Sequence, residues 1–311
     1  MAEWAMAAEM QLDLRHWLES ENGRRWGRVW VNSVSAEETG RKDLYEALIL
    51  AEAQKLLTAD AIWVSPDMCQ VVQAARDGFQ PEPLEMADFI VPTGFLYFSD
   101  PIYMLDRHRR TVSVGGISWC PFIVEEHGNV TDVHGMTLTL YTSALAPEDE
   151  FRDAHRRLMK DYGAPALTPM HMTIVRFGEQ IDRGDLEDDL GQYTGADQWW
   201  KTLQTALRLM QQRISTRTDT PLPRSTRRRY KRSGVEVKEM LVIRLRRPVT
   251  KRHDESLHPV EWTHRWIVDG FWRSQYYPSL GRHRQIYIAP YVKGPEDKEL
   301  IIKKRFFKWD R

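Results

Sequence analysis

The sequence predicts an α+β protein with a central antiparallel sheet, flanking helices and a C-terminal β-hairpin unit rich in aromatic residues and arginine. Three observations carry that prediction. Apolar residues recur at helical spacing in separated segments, they alternate with period two between Phe89 and Thr142, and Trp, Tyr and Arg alternate beyond Glu261. With 311 residues and 42% hydrophobic content, the chain has enough apolar mass for one large domain or two ordinary ones.

The first twenty residues mix Glu, Asp, Arg and Trp among short apolar stretches and contain no signal-like apolar core. Residues 24–32 read as a strand, with Val29 and Val31 on one face and Trp30 on the other. Lys42–Thr58 reads as a helix whose apolar stripe runs through Leu44, Ala47, Leu48, Ala51, Lys55 and Leu56. Residues 61–65 then form a short strand closed by Pro66. The central sheet is expected from residues 95–98, 111–114, 117–119, 122–124 and 136–141, with Gly, Pro and Asp between the runs. Pro147 and the acids Glu148, Asp149 and Glu150 open a helix that runs to Lys160. Residues 171–177 are a further strand. An acidic cluster at 182–189 precedes a helix over 197–214, which places Trp199, Trp200, Leu203, Leu207, Met210 and Ile214 on one stripe.

Residues 215–234 are largely Thr, Pro, Ser and Arg, with almost nothing to bury, and read as a basic linker or loop. That divides the chain into an acidic α+β domain over 1–214 and a basic, β-rich unit over 235–311. Within the second unit, residues 235–245 read as a strand. Residues 261–273 and 282–290 read as the arms of a long hairpin turned at Pro278 and Gly281.

The formal net charge is zero, yet the two ends carry opposite signs. Residues 208–311 hold 26 Lys+Arg against 11 Asp+Glu, so the acidic excess lies entirely in residues 1–207. The positive excess peaks in Arg224-Ser-Thr-Arg-Arg-Arg-Tyr-Lys-Arg232, where six like charges repel one another within nine residues. Such a run meets either a phosphate backbone or the acidic surface of its own N-terminal part. The 12 Trp supply packing mass and flat faces for stacking. Two cysteines exclude a disulfide scaffold and a Cys-based zinc site, and no segment approaches the length of an apolar membrane span. A soluble, cytoplasmic, unprocessed chain is the expectation.

Several motifs are absent. No Gly-rich or Walker-type phosphate loop and no Gly-x-Ser-x-Gly elbow occurs. His253, His258 and His264 fit no metal-ligand spacing, so neither a metal nor another cofactor is expected. His171-Met-Thr-Ile174 matches half of the paired His-x-Thr pattern of two-histidine phosphoesterases, but its nearest counterpart, His134-Gly-Met-Thr137, has one residue too many.

The C-terminal third contains Pro223-Arg-Ser-Thr-Arg-Arg-Arg229, Val242-Ile-Arg-Leu-Arg-Arg247, His264-Arg-Trp-Ile-Val-Asp-Gly-Phe-Trp-Arg-Ser-Gln275 and a segment beginning Arg282-His-Arg-Gln-Ile-Tyr-Ile-Ala-Pro290. It resembles the tail of poorly characterised proteins from actinobacteria and their phages, in which His-x-Trp-x-Val-x-Gly-His-Trp-Arg-x-Gln precedes Arg-x-x-Trp-Ile-x-Pro. This chain has Phe271 where the second His stands and Tyr287 where Trp is common. The resemblance implies a setting, a phage or mobile element of a high-GC host, and no activity.

Together these readings predict a nucleic-acid-binding protein, regulatory or part of a phage–host conflict system such as a toxin–antitoxin pair. Arg224, Arg227, Arg228, Arg229, Lys231 and Arg232 would meet phosphate, while Arg265, Trp272, Arg273, Tyr277 and Arg284 add stacking and orientation. Two alternatives stand beside it. One is a metal-independent nuclease or phosphoesterase with His264 or His283 as base and Arg273 or Arg284 stabilising the phosphorane charge. The other is a protein-interaction module whose acidic N-terminal surface binds a protein partner. A membrane partner is not expected.

Overall fold

The computed structural model describes residues 2–27, 42–106, 109–126, 129–179, 196–235, 237, 239–246, 265–294 and 298. They fall into two compact units, Met1–Leu245 and Arg246–Arg311. The helices of the first unit are α1 (Met6–Glu19), α2 (residues 21–27), α3 (Lys42–Thr58), α4 (Pro66–Arg76), α5 (Arg152–Tyr162), α6 (Ala196–Met210) and α7 (Arg224–Arg232). Its strands are β1 (Asp60–Val64), β2 (Gly94–Leu105), β3 (Thr111–Glu126), β4 (Asn129–Ser143), β5 (Leu167–Arg176), β6 (Ser215–Pro221) and β7 (Glu239–Leu245). The second unit has β8 (Trp266–Val268), β9 (Phe271–Tyr277), β10 (Arg282–Ile288) and β11 (Tyr291–Lys293), paired as β9–β10 and β8–β11.

The α+β class holds: a seven-stranded sheet, ordered β5-β4-β3-β2-β1-β7-β6, is flanked by helices and accompanied by a C-terminal hairpin. The segment with period two does form antiparallel strands, but as three long ones, β2, β3 and β4, whose bulges absorb the Gly and Pro that punctuate the sequence. The sheet becomes mixed because β1 pairs in parallel with both β2 and β7. Accordingly β1 is buried on both faces, as Ala61, Ile62, Trp63 and Val64 require. Ala61, Trp63, Phe95 and Val242 meet α1 and α3 in one core, and α4 and α6 contact β2 from among the remaining helices.

Four expectations need correction. Residues 24–27, expected as the start of a strand, are helical, because Trp26 is buried 5.0 Å from Trp17 and a helical hairpin presents that ring to the core. Residues 28–32 of that expected strand lie outside the described residues. The stripe of α3 is also displaced: Ala47, Leu48 and Ala51 are exposed, whereas Ile49, Glu52, Ala53, Lys55 and Leu56 face inward. Glu52 is tolerated there because it accepts from Lys55 Nζ at 2.6 Å, Ser118 Oγ at 2.9 Å, Thr139 Oγ1 at 2.6 Å and the Tyr141 hydroxyl. Residues 215–234, read as a linker, instead carry β6 and α7. The compact units divide at 245/246 rather than around that stretch, because β6 pairs along the length of β7 and Thr226 and Tyr230 supply the burial that composition concealed. Finally, α1 and α4 form where no element was assigned.

No helix among the described residues is long and apolar enough to cross a membrane. Cys69 and Cys120 are free thiols.

Candidate nucleic-acid interface

A nine-residue helix with six cations does not persist alone, since nucleation is costly and like charges one turn apart repel. What stabilises α7 is its seat on α1. Thr226 and Tyr230, four residues apart, are buried on the same face. The Tyr230 hydroxyl donates to Gln11 Oε1 at 2.7 Å, and Gln11 Nε2 donates in turn to the Leu56 and Ala59 carbonyls at the end of α3, both at 2.7 Å. Burial pushes the Tyr230 hydroxyl pKa up. Arg229 turns toward α1, pairing with Asp13 Oδ1 at 2.6 Å and with Glu9. Beyond the helix, Ser233 takes a hydrogen bond from Arg15 Nη1 to its carbonyl at 3.1 Å and pairs through Oγ with His16 Nε2 at 2.9 Å. The Asp13 carboxyl is raised by burial, with the His16 charge opposing.

The opposite face of α7 is different. Arg224, Arg227, Arg228 and Lys231 follow the i, i+3, i+4, i+7 rule and line one open concavity of about 590 Å³ with Pro221, Val237 and Glu239. These four and Arg232 are exposed, and among the described residues no carboxylate lies within ion-pair distance of any of them. Glu239 is the acidic member of the lining. The basic run therefore divides: one cation docks the helix internally, on α1, while the 182–189 cluster lies outside the described residues. Four of the others share a groove.

In the second unit the hairpin register sorts the remaining candidates. Residues directly opposite on antiparallel strands share a face. Phe271/Ile288, Arg273/Ile286, Gln275/Arg284 and Tyr277/Arg282 therefore lie on one face, and Trp272/Tyr287, Ser274/Gln285 and Tyr276/His283 on the other. The rings of the second face pack against each other in tilted pairs, Trp272 with Tyr287 at 5.3 Å and Tyr276 with His283 at 5.1 Å between centroids. Tyr287 fits because residue 270 has no side chain; a Cβ there would sit 2.0 Å from its hydroxyl. The turn closes over residues 278–281, with Gly281 at φ 63°. Arg273 Nη2 donates to Gln275 Oε1 at 3.0 Å. Arg265 Nε donates to the Lys298 carbonyl at 2.8 Å, beside β8 rather than on the hairpin.

This sorting bears directly on the enzymatic alternative. His283 lies on the face of the hairpin opposite Arg273 and Arg284, so His283 and these two guanidinium groups do not share a face. His264 lies outside the described residues. The His-x-Thr motif fares no better: His171 pairs opposite Leu140, while the His134 carbonyl accepts from Phe177 N. The two histidines thus stand about six residues apart along the β4–β5 ladder, roughly 20 Å. His171 packs on Trp199 at 5.3 Å, and desolvation lowers its pKa. Among the described residues no group of His, Cys, Asp and Glu is placed to hold a metal.

Sequence reasoning missed Arg282 and Phe271 as companions of Arg273, Tyr277 and Arg284, and Glu9, Gln11 and Asp13 as the seat of α7. Strict period-two counting from Arg273 around the Pro278–Gly281 turn would have found the first pair. The second set lies more than 200 residues away in sequence and carries no local signal.

No family model matches the chain, and no curated protein matches it. Among solved structures, one described as the crystal structure of AcrVA2 is similar with a TM-score of 0.40 and 13% sequence identity, covering 93% of this chain and 94% of that one.

Proposed function

We propose that this protein binds nucleic acid and holds the phosphodiester backbone on the exposed face of α7. The observation that carries the reading is the convergence of Arg224, Arg227, Arg228 and Lys231 on one open groove, with Arg229 turned inward as an anchor. Guanidinium groups suit phosphate because they donate in a planar fork. Among the described residues the lining contains no aromatic ring, so the groove offers charge and hydrogen-bond donors to a backbone and no platform for stacking a base. A cytoplasmic, regulatory role, in the phage or mobile-element setting that the C-terminal resemblance implies, is compatible with two free thiols.

The test is a fluorescence-anisotropy titration of labelled duplex DNA and single-stranded RNA at low salt, comparing the wild type with Arg227→Ala/Arg228→Ala/Lys231→Ala. The triple variant is expected to bind every probe at least about tenfold more weakly, irrespective of sequence. Unchanged affinity in the variant would remove α7 as the phosphate contact.

A further inference from the structure

The hairpin carries a second cationic surface, built from different chemistry and located in the other compact unit. From Gly270 to Lys293 the sequence has no Asp or Glu, while Arg273, Arg282, Arg284 and Lys293 are all basic. The register gathers the first three onto a single face with Phe271 and Tyr277. On the opposite face the aromatic rings are already packed against each other in tilted pairs. On the arginine face they are not: Phe271 is 44% exposed, and neither Phe271 nor Tyr277 contacts another ring among the described residues.

We infer that the face formed by Phe271, Arg273, Gln275, Tyr277, Arg282 and Arg284 binds a single strand of nucleic acid, stacking unpaired bases on Phe271 and Tyr277 and placing the three arginines on phosphate. The inference rests on the nucleic-acid reading above and adds strandedness to it. Aromatic faces take up bases only when those bases are not already paired within a duplex, and stacking is tolerant of sequence because every base has a π-face. Phe271 and Tyr277 stand six residues apart on β9, roughly 20 Å, which is the reach of a few extended nucleotides. Arg273 and Gln275 lie between them, and the hydrogen bond from the guanidinium to the amide oxygen fixes the direction of Arg273. Among the described residues, the groove of α7 is lined by four cations and no rings. The hairpin face has both, so the two surfaces differ in what they can distinguish.

The experiment uses the full chain and three labelled probes, oligo(dT) and oligo(U) of about 15 nucleotides and a duplex of similar length, read by anisotropy at low salt. Phe271→Ala/Tyr277→Ala is expected to weaken both single strands about tenfold or more and to leave duplex affinity unchanged. Tyr276→Ala, which removes a ring from the opposite face, is expected to change neither. A larger loss on oligo(U) than on oligo(dT) assigns the face to RNA, and the reverse assigns it to DNA. Arg282→Gln provides a second variant that spares both rings, should the double alanine variant fail to fold, and it is expected to weaken single strands at least about threefold. Full single-strand affinity in the folded variants overturns the inference while the α7 reading stands. A wild-type protein that binds none of the probes overturns both.

Discussion

Arg227 and Arg229 sit two residues apart on one helix and do different things. The Arg229 guanidinium closes on Asp13 and Glu9 of α1, and Glu9 is largely buried. Removing the cation leaves Glu9 without its counter-ion, and because Arg229 and Asp13 are partly open to solvent the cost is moderate. Arg229→Ala is expected to lower stability by about 1–2 kcal/mol in urea denaturation. Arg227→Ala is expected to stay within about 0.5 kcal/mol of the wild type and to lose affinity for nucleic acid instead. The Tyr230 hydroxyl adds a pH signature. In the unfolded chain it ionises near pH 10, whereas in the folded protein burial keeps it protonated well beyond that. The folded state then holds a proton that the unfolded state has lost, so stability is intact below about pH 10 and falls above it, by up to about 1.4 kcal/mol per pH unit for each such group. Tyr141, raised by burial and by Glu52, steepens the same decline, and Cys69, pushed by burial from 9.0 up to about 12, starts it about one pH unit earlier. Tyr230→Phe should make the alkaline slope shallower by one group; a slope identical to the wild type would mean that this hydroxyl is not held in a dry site.

At the scale of elements, the sequence is most legible where the packing partner is adjacent in the chain. The β2–β4 meander followed from alternation alone, and α6 followed from its stripe of Trp and Leu, because each pattern matches the surface that buries it. α3 is the instructive exception. Its bounds were evident, but it has apolar residues on nearly all sides, so the period could not decide which side faces the sheet. The inward face is chosen by the Ser118, Thr139 and Tyr141 hydroxyls, which can satisfy Glu52 and Lys55, and those lie 66 to 89 residues farther along the chain. The assignment can be checked with one pair of substitutions. Ile49→Ala should cost about 2–5 kcal/mol, whereas Leu50→Gln, on a side chain that is 44% exposed, should cost less than about 0.5 kcal/mol. Equal costs would place the helix in a different rotation. α7 was illegible for a related reason. Tyr230 is the single large apolar group in a run of cations, and its pocket is made by a helix more than 200 residues upstream.

At the scale of the molecule, the opposite charges of the sequence meet, among the described residues, at a few points. Among the described residues, Arg229 is the α7 cation that pairs with N-terminal carboxylates, and Arg208, just before the basic segment, pairs with Glu82 and Asp88. Arg224, Arg227, Arg228 and Lys231 keep their field directed into solvent. If phosphate is what balances them, binding must release the counterions condensed on the nucleic acid, and the number released is set by those side chains rather than by the net charge of the protein. Four contacts on duplex DNA give a slope of log K against log salt of roughly −3.6, which is about a hundredfold loss of affinity for a fourfold rise in salt. Removing Lys231 should make that slope shallower by about 0.9 on any duplex sequence, while Arg229→Ala, whose charge is already matched by two carboxylates, should leave the slope near its wild-type value. A slope near zero for the wild-type protein would mean that the groove of α7 holds something other than a polyphosphate backbone, and the cations of that helix would then have to be explained by an acidic protein surface.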